Sequence, residues 1–326
     1  MIRNDIYKGL DAMKLLCAFL VVYIHTYNGD WGIVGSWFKS VITSAAVPFF
    51  FIVSGFFYIK GLMRNKFHKD YFLKYFRRLL LFYIVWTIIS IPVSWLCTVR
   101  GHPDYTLSLK VVFLFRMFFF SGSCGYYWYV ISLIYCCPVL YFFISKGWNK
   151  YLYILAVLMF GIGIWYNSSS YDNNMMFQFI HVVFGSERNF INQGLFYMSL
   201  GCFFANHELK MNYKSASVIF LLAIVILLRT LEVVFMPISV LQALVAVLLF
   251  ILALNIRVGF SVEMSFYIRK WSTALYMIHC PFILLFDFYL SKGTIVDYVS
   301  AVCLSTLLYV FIINTLPLRW QHALLG

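Results

Sequence analysis

Asp11, Lys14 and His25 are the first residues of the chain whose types and spacing could do chemistry. They lie in GLDAMKLLCAFLVVYIHTYN, residues 9–28, where most other side chains are apolar. Eleven residues separate Lys14 from His25. At about 100° per residue that is three turns plus about 20°, so the two share a helix face, about 16 Å apart along the axis. Asp11 falls within about 40° of that face and one turn from Lys14, so it can pair with that lysine. The face would then carry an ion pair near one end and an imidazole deep in the apolar run. Histidine is the side chain best suited to moving a proton near neutral pH. Apolar surroundings disfavour the imidazolium, and a neutral imidazole can take a proton from a hydroxyl. That describes a general base for acyl transfer, and equally a proton relay in a transporter. A snorkelling lysine beside a histidine bonded to a neighbouring helix would give the same pattern.

The elements that must position these residues are membrane helices. Hydrophobic residues make up 63% of the 326 residues, aromatic residues 21% and charged residues only 11%, against about 25% charged in soluble domains. The expected fold is all-α: a single polytopic bundle over residues 1–326 with about ten transmembrane helices. The spans are expected near 10–28, 41–59, 78–97, 126–145, 151–166, 191–206, 215–232, 237–255, 272–290 and 295–316, several close to the 20 residues that cross a bilayer. The first is not read as a cleaved signal peptide, because no small-x-small cleavage pattern follows it. Between the third and fourth, LSLKVVFLFRMFFF reads as amphipathic or re-entrant. With the N-terminus in the cytoplasm, 18 of the 25 Lys and Arg fall on the inner side, which favours cytoplasmic placement of both termini. The net charge of +13 is therefore a topology signal, and no nucleic-acid partner is expected. The eight cysteines show no C-x-x-C spacing, so neither a metal site nor a disulfide framework is expected.

Further motifs follow in order. After GLDAMKLLCAFLVVYIH come AAVPFFFIVSGFFY, LKYFRRLLLFYIVW, YYWYVISLIYCCPVLYF, GLFYMSLGCFFA and STALYMIHCPF. Together these resemble the signature segments of the integral-membrane acyltransferase 3 family. A basic residue and a histidine eleven apart open the series, and a V-P-x-F-F-x-x-S-G-F segment and an R-x-x-R helix start follow. The first two motifs together are specific; the later ones are weak singly. This chain has Lys14 where the family often has Arg, which keeps the charge and loses the planar fork. It has Lys74, Arg77 and the adjacent Arg78 for the arginine pattern.

The resemblance implies an enzyme, an O-acetyltransferase. It would move an acetyl group from cytoplasmic acetyl-CoA to a hydroxyl of a cell-envelope or extracellular glycan, free or lipid-linked, in a bacterial cytoplasmic (inner) membrane and in contact with membrane lipid. His25 is then the general base, with Lys14 and Asp11 as its catalytic partners. Lys74, Arg77 and Arg78 suit the phosphates of acyl-CoA, since Arg–phosphate bonds are strong and oriented. Ser54 and the backbone around Gly55 are candidate donors to the oxyanion. Arg188 and Asn189, in SERNFINQG, and Tyr126 and Trp128, where the chain re-enters the membrane, are candidates for holding the acceptor; an interfacial aromatic belt also explains the last two. His279, in YMIHCPF, is a second intramembrane histidine, for which a bond within the bundle ranks ahead of a direct role. The rival reading is a transporter or flippase of a small polar substrate, like the membrane halves of amino-acid racemase proteins. The end of the chain at Gly326, with no racemase region after it, counts against that rival.

Overall fold

The computed structural model describes residues 7–27, 32–168, 192–207, 215–230, 238–289 and 295–325, and no strand occurs among them. Apolar segments in hydrocarbon must satisfy their backbone groups internally, and the helix does so within one segment. The helices are α1 (Lys8–Thr26), α2 (Gly32–Arg64), α3 (Lys69–Gly101), α4 (Leu107–Arg116), α5 (Trp128–Ser145), α6 (Asn149–Ser168), α7 (Asn192–Asn206), α8 (Ser215–Thr230), α9 (Ile238–Asn255), α10 (Val262–Tyr289), α11 (Ile295–Thr315) and α12 (Leu318–Leu325). Five of them, α1, α2, α3, α5 and α11, are long and apolar enough to cross a membrane, and Asn149–Trp165, Ser217–Thr230 and Ser239–Asn255 form shorter apolar helices. A helix overlaps each of the ten expected spans.

Three elements differ from the sequence expectation. α2 begins well before the expected span and is not uniform: a π-helical turn at Phe38–Ile42 and a 3-10 turn at Thr43–Ala45 precede its regular part. α3 has 33 residues, about 50 Å at 1.5 Å per residue, longer than the hydrocarbon core. Its added turns carry Lys69, Lys74 and Arg77. The charges that marked a boundary in the sequence do not end the helix, because exposed Lys and Arg are good helix formers. The stretch 98–125 resolves into the last turn of α3 and then α4, which has no buried residue, followed by short π and 3-10 turns.

The chain divides into two compact units, Met1–Val53 with Glu208–Gly326, and Ser54–His207, so the boundary falls within α2. In the first unit α1 packs on α9, α10 and α11. A Cβ on Gly9 would sit 2.2 Å from the Ala253 carbonyl oxygen, so glycine there permits the close approach of α1 to α9. Leu10, Cys17, Ala18, Val21 and Val22 form the buried side of α1. Gln321 accepts from Lys270 Nζ at 3.0 Å and donates to the carbonyls of Ile313 and Leu316, which ties α12 to its neighbours.

In the second unit α6 packs on α7, and α5 touches α3, α6 and α7. A Cβ on Gly55 would meet the Met198 carbonyl oxygen at 2.2 Å, so here too a glycine sets a helix–helix approach. α3 carries an inward polar seam: Ser90 donates to the Tyr127 hydroxyl at 3.1 Å, and the Ser94 and Ser123 hydroxyls lie 3.3 Å apart. In a membrane protein such hydroxyls join helices because lipid offers them no partner.

Candidate active site

α1 is helical without interruption from Lys8 to Thr26, so the shared face of Asp11, Lys14 and His25 is retained. What meets that face is α10. Asp11, 2% exposed, accepts from Ser265 Oγ at 2.6 Å and from Arg269 Nη2 at 3.3 Å. The ion pair that the structure gives Asp11 is with Arg269, because α10 brings a guanidinium and a hydroxyl to the same carboxylate oxygen, while Lys14 one turn away remains within electrostatic reach of that carboxylate. Farther along, Ser272 Oγ donates to the Lys14 carbonyl at 3.1 Å. Beyond that, the His25 and His279 rings stack with centroids 5.5 Å apart and planes 19° apart.

These contacts advance together along both helices, so α1 and α10 run parallel. The α10 residues that make them, Ser265, Arg269, Ser272 and His279, recur at steps of four, three and seven and so form one face. Sequence reasoning singled out His279 and passed over the other three. The signal is present as a polar stripe at helical spacing in SFYIRKWSTALYMIH. Polar groups on lipid-embedded helices face the bundle interior, and here two polar stripes face each other.

Near the far end of α1, Lys39 Nζ donates to the Tyr27 carbonyl at 3.2 Å and lies over the Tyr27 ring. Lys39 sits in the π-helical turn of α2. Tyr23 donates to the Gly35 carbonyl at 3.2 Å, which fastens the start of α2 against α1.

The second unit holds another set of expected site residues. Ser54 Oγ and the Tyr129 hydroxyl are 2.6 Å apart, a partner the sequence reading did not name. Gly55 lies inside regular helix, where its N–H serves the i→i−4 ladder, so the backbone there is not an oxyanion donor. Tyr58 donates to the Cys137 carbonyl at 3.1 Å, and its ring lies 4.8 Å from Tyr75. Lys74, Arg77 and Arg78 are exposed on α3, and their spacing of three and four puts them on one face. Tyr126 and Trp128 are half-buried at the start of α5, whereas Tyr127 between them is fully buried. Arg188 and Asn189 lie outside the described residues.

An all-helical chain with several spanning helices and a buried imidazole facing a second imidazole is an integral membrane protein built around an intramembrane polar site. Residues 7–314 match the family model of the acyltransferase domain, so the chain belongs to the acyltransferase 3 family. A stretch of 170 residues, 52% of the chain, is 25% identical to an amino-acid racemase of Enterococcus faecalis and covers 23% of that protein. A second Enterococcus faecalis amino-acid racemase is 27% identical over 128 residues, 37% of the chain and 17% of the relative. The matched region is thus under a quarter of the length of either relative. No solved structure matches the chain.

Proposed function

We propose that the protein is an O-acetyltransferase of a bacterial cytoplasmic membrane, taking acetyl from cytoplasmic acetyl-CoA and placing it on a hydroxyl of a cell-envelope or extracellular glycan, free or lipid-linked. The observation that carries this reading is membership of the acyltransferase family over residues 7–314, with His25 standing in the helix that opens the matched region. In the reaction His25 takes the proton as the acceptor oxygen attacks the thioester carbonyl. The new C–O bond forms, the C–S bond breaks, and the thiolate of CoA leaves and is protonated. A placed base of this kind contributes about 10²–10⁴-fold. Asp11 and Lys14 set the charge on the His25 face. In the second unit, Lys74, Arg77 and Arg78 take the phosphates of CoA. Ser54, with Tyr129, is the candidate hydroxyl pair for the oxyanion. Arg188, Asn189, Tyr126 and Trp128 are the candidate acceptor contacts.

The proposal includes ten spans with both termini in the cytoplasm. The inner-side excess of Lys and Arg supports it. So does the parallel run of α1 and α10, which as the first and ninth spans would cross in the same direction.

The test is made with purified protein in lipid nanodiscs and radiolabelled acetyl-CoA, scoring CoA release and label on envelope glycans. Transfer that survives intact in His25→Ala would refute His25 as the base. The second reading, movement of a small polar substrate, rests on the pair of intramembrane imidazoles, which suits a proton relay as well as a general base. Uptake of amino acid into proteoliposomes without CoA, together with no acetyl transfer, would favour it.

A further inference from the structure

We infer that His279 is a positioning residue for His25, its ring supplying the face against which His25 is held when it becomes an imidazolium. The catalytic consequence rests on the acyl-transfer reading above; the ring pair itself does not. The two rings lie 5.5 Å apart, 19° from parallel, and His279 is 1% exposed. Its Nδ1 lies 2.7 Å from the Leu275 carbonyl oxygen. A carbonyl only accepts, so Nδ1 carries the hydrogen, and the neutral ring is fixed in that tautomer. Leu275 is one turn back on the same helix, so α10 itself orients the ring. The Tyr276 and His279 rings meet in a T-shaped contact with centroids 6.1 Å apart, and Phe50 and Tyr276 do the same with centroids 5.9 Å apart.

A cation within about 6 Å of an aromatic centroid is drawn to the ring face, most strongly where water is excluded. His25 meets that distance condition when it gains a proton from the acceptor hydroxyl. Two imidazolium ions at this separation would repel strongly in a low-dielectric interior, so only one ring of the pair is charged at a time, and in the reaction that ring is His25, which receives the acceptor's proton. The stabilisation appears only as the proton transfers, so it bears on turnover and not on substrate binding. Without it, His25 would still be present and still aligned by α1, but its charged form would lose its neighbour.

The test compares wild type, His279→Leu and His279→Phe, full length in nanodiscs, by release of CoA thiol from acetyl-CoA and by NMR of [15N]histidine-labelled protein. His279→Leu should lower kcat by about 3- to 30-fold, with KM for acetyl-CoA held within about twofold. His279→Phe keeps an aromatic face and should recover most of the loss. In the spectra, His279 should be protonated at Nδ1, and the His25 signals should move in His279→Leu much more than in His279→Phe. Full kcat in the leucine variant overturns the inference. A phenylalanine variant as slow as the leucine one, although folded, also overturns it, because the ring nitrogens would then be what matters. If the leucine variant does not fold, the phenylalanine variant and the wild-type spectra decide: unchanged His25 signals, or Nε2 protonation of His279, overturn the ring pair. A wild type that releases no CoA removes the acyl-transfer reading and the catalytic consequence with it, while the spectra still judge the pair.

Discussion

At the scale of single residues, Asp11 is the instructive case. Its carboxylate is buried, and its recorded partners come from α10, Ser265 and Arg269. Arg269 is about half-exposed, 51%, so part of its charge is screened and the pair is worth less than a fully buried one. Arg269→Ala should lower stability by about 1–2 kcal/mol, read as thermal unfolding in detergent. Asp11→Ala should cost more, because it strands the Ser265 hydroxyl and frees the Arg269 charge together. His25→Ala is expected to cut acetyl transfer by about 10²–10⁴-fold while CoA still binds, which equilibrium binding of labelled CoA would check. That Asp11, Lys14 and His25 share one face was legible because a single uninterrupted helix carries all three. The partner of Asp11 was not legible, since a residue more than 250 positions away supplies it, and no local spacing encodes that.

At the scale of elements, glycines decide how closely helices meet. Gly9 and Gly55 each oppose a backbone carbonyl so closely that an added methyl would lie 2.2 Å from its oxygen. Gly9→Ala and Gly55→Ala should therefore destabilise the protein by about 1–3 kcal/mol each, through backbone displacement. Gly161→Ala on α6, where nothing lies within 4 Å of the added methyl, should be neutral or slightly stabilising, since alanine is the better helix former. Unfolding midpoints of the three variants in one detergent make the comparison. α3 adds a second element-scale expectation. Its exposed cations stand on a helix that outruns the hydrocarbon core, so Arg77→Ala combined with Arg78→Ala should weaken CoA binding by at least about tenfold, with a reduced dependence on salt. Equal CoA affinity in the double variant would show that these charges serve topology alone.

At the scale of the whole molecule, the prediction concerns topology. Reporter fusions at both ends should place each terminus in the cytoplasm, as the Lys and Arg distribution requires; an external carboxyl terminus would contradict an even number of spans. Composition by itself determined that the protein is a helical membrane protein, because 63% hydrophobic residues with 11% charged ones leave the backbone no partner but its own helix. The order of motifs likewise revealed the acyltransferase family, and helical periodicity revealed the polar face of α1. Only the tertiary structure decided that this face meets Ser265, Arg269, Ser272 and His279, that Ser54 lies against Tyr129, and that α2 is interrupted by a π turn that contains Lys39. Periodicity is a property of one helix and is written in its own residues. Which helix covers a given face is settled by the packing of small side chains and the pairing of polar groups across the bundle, and those contacts join residues that are far apart along the chain.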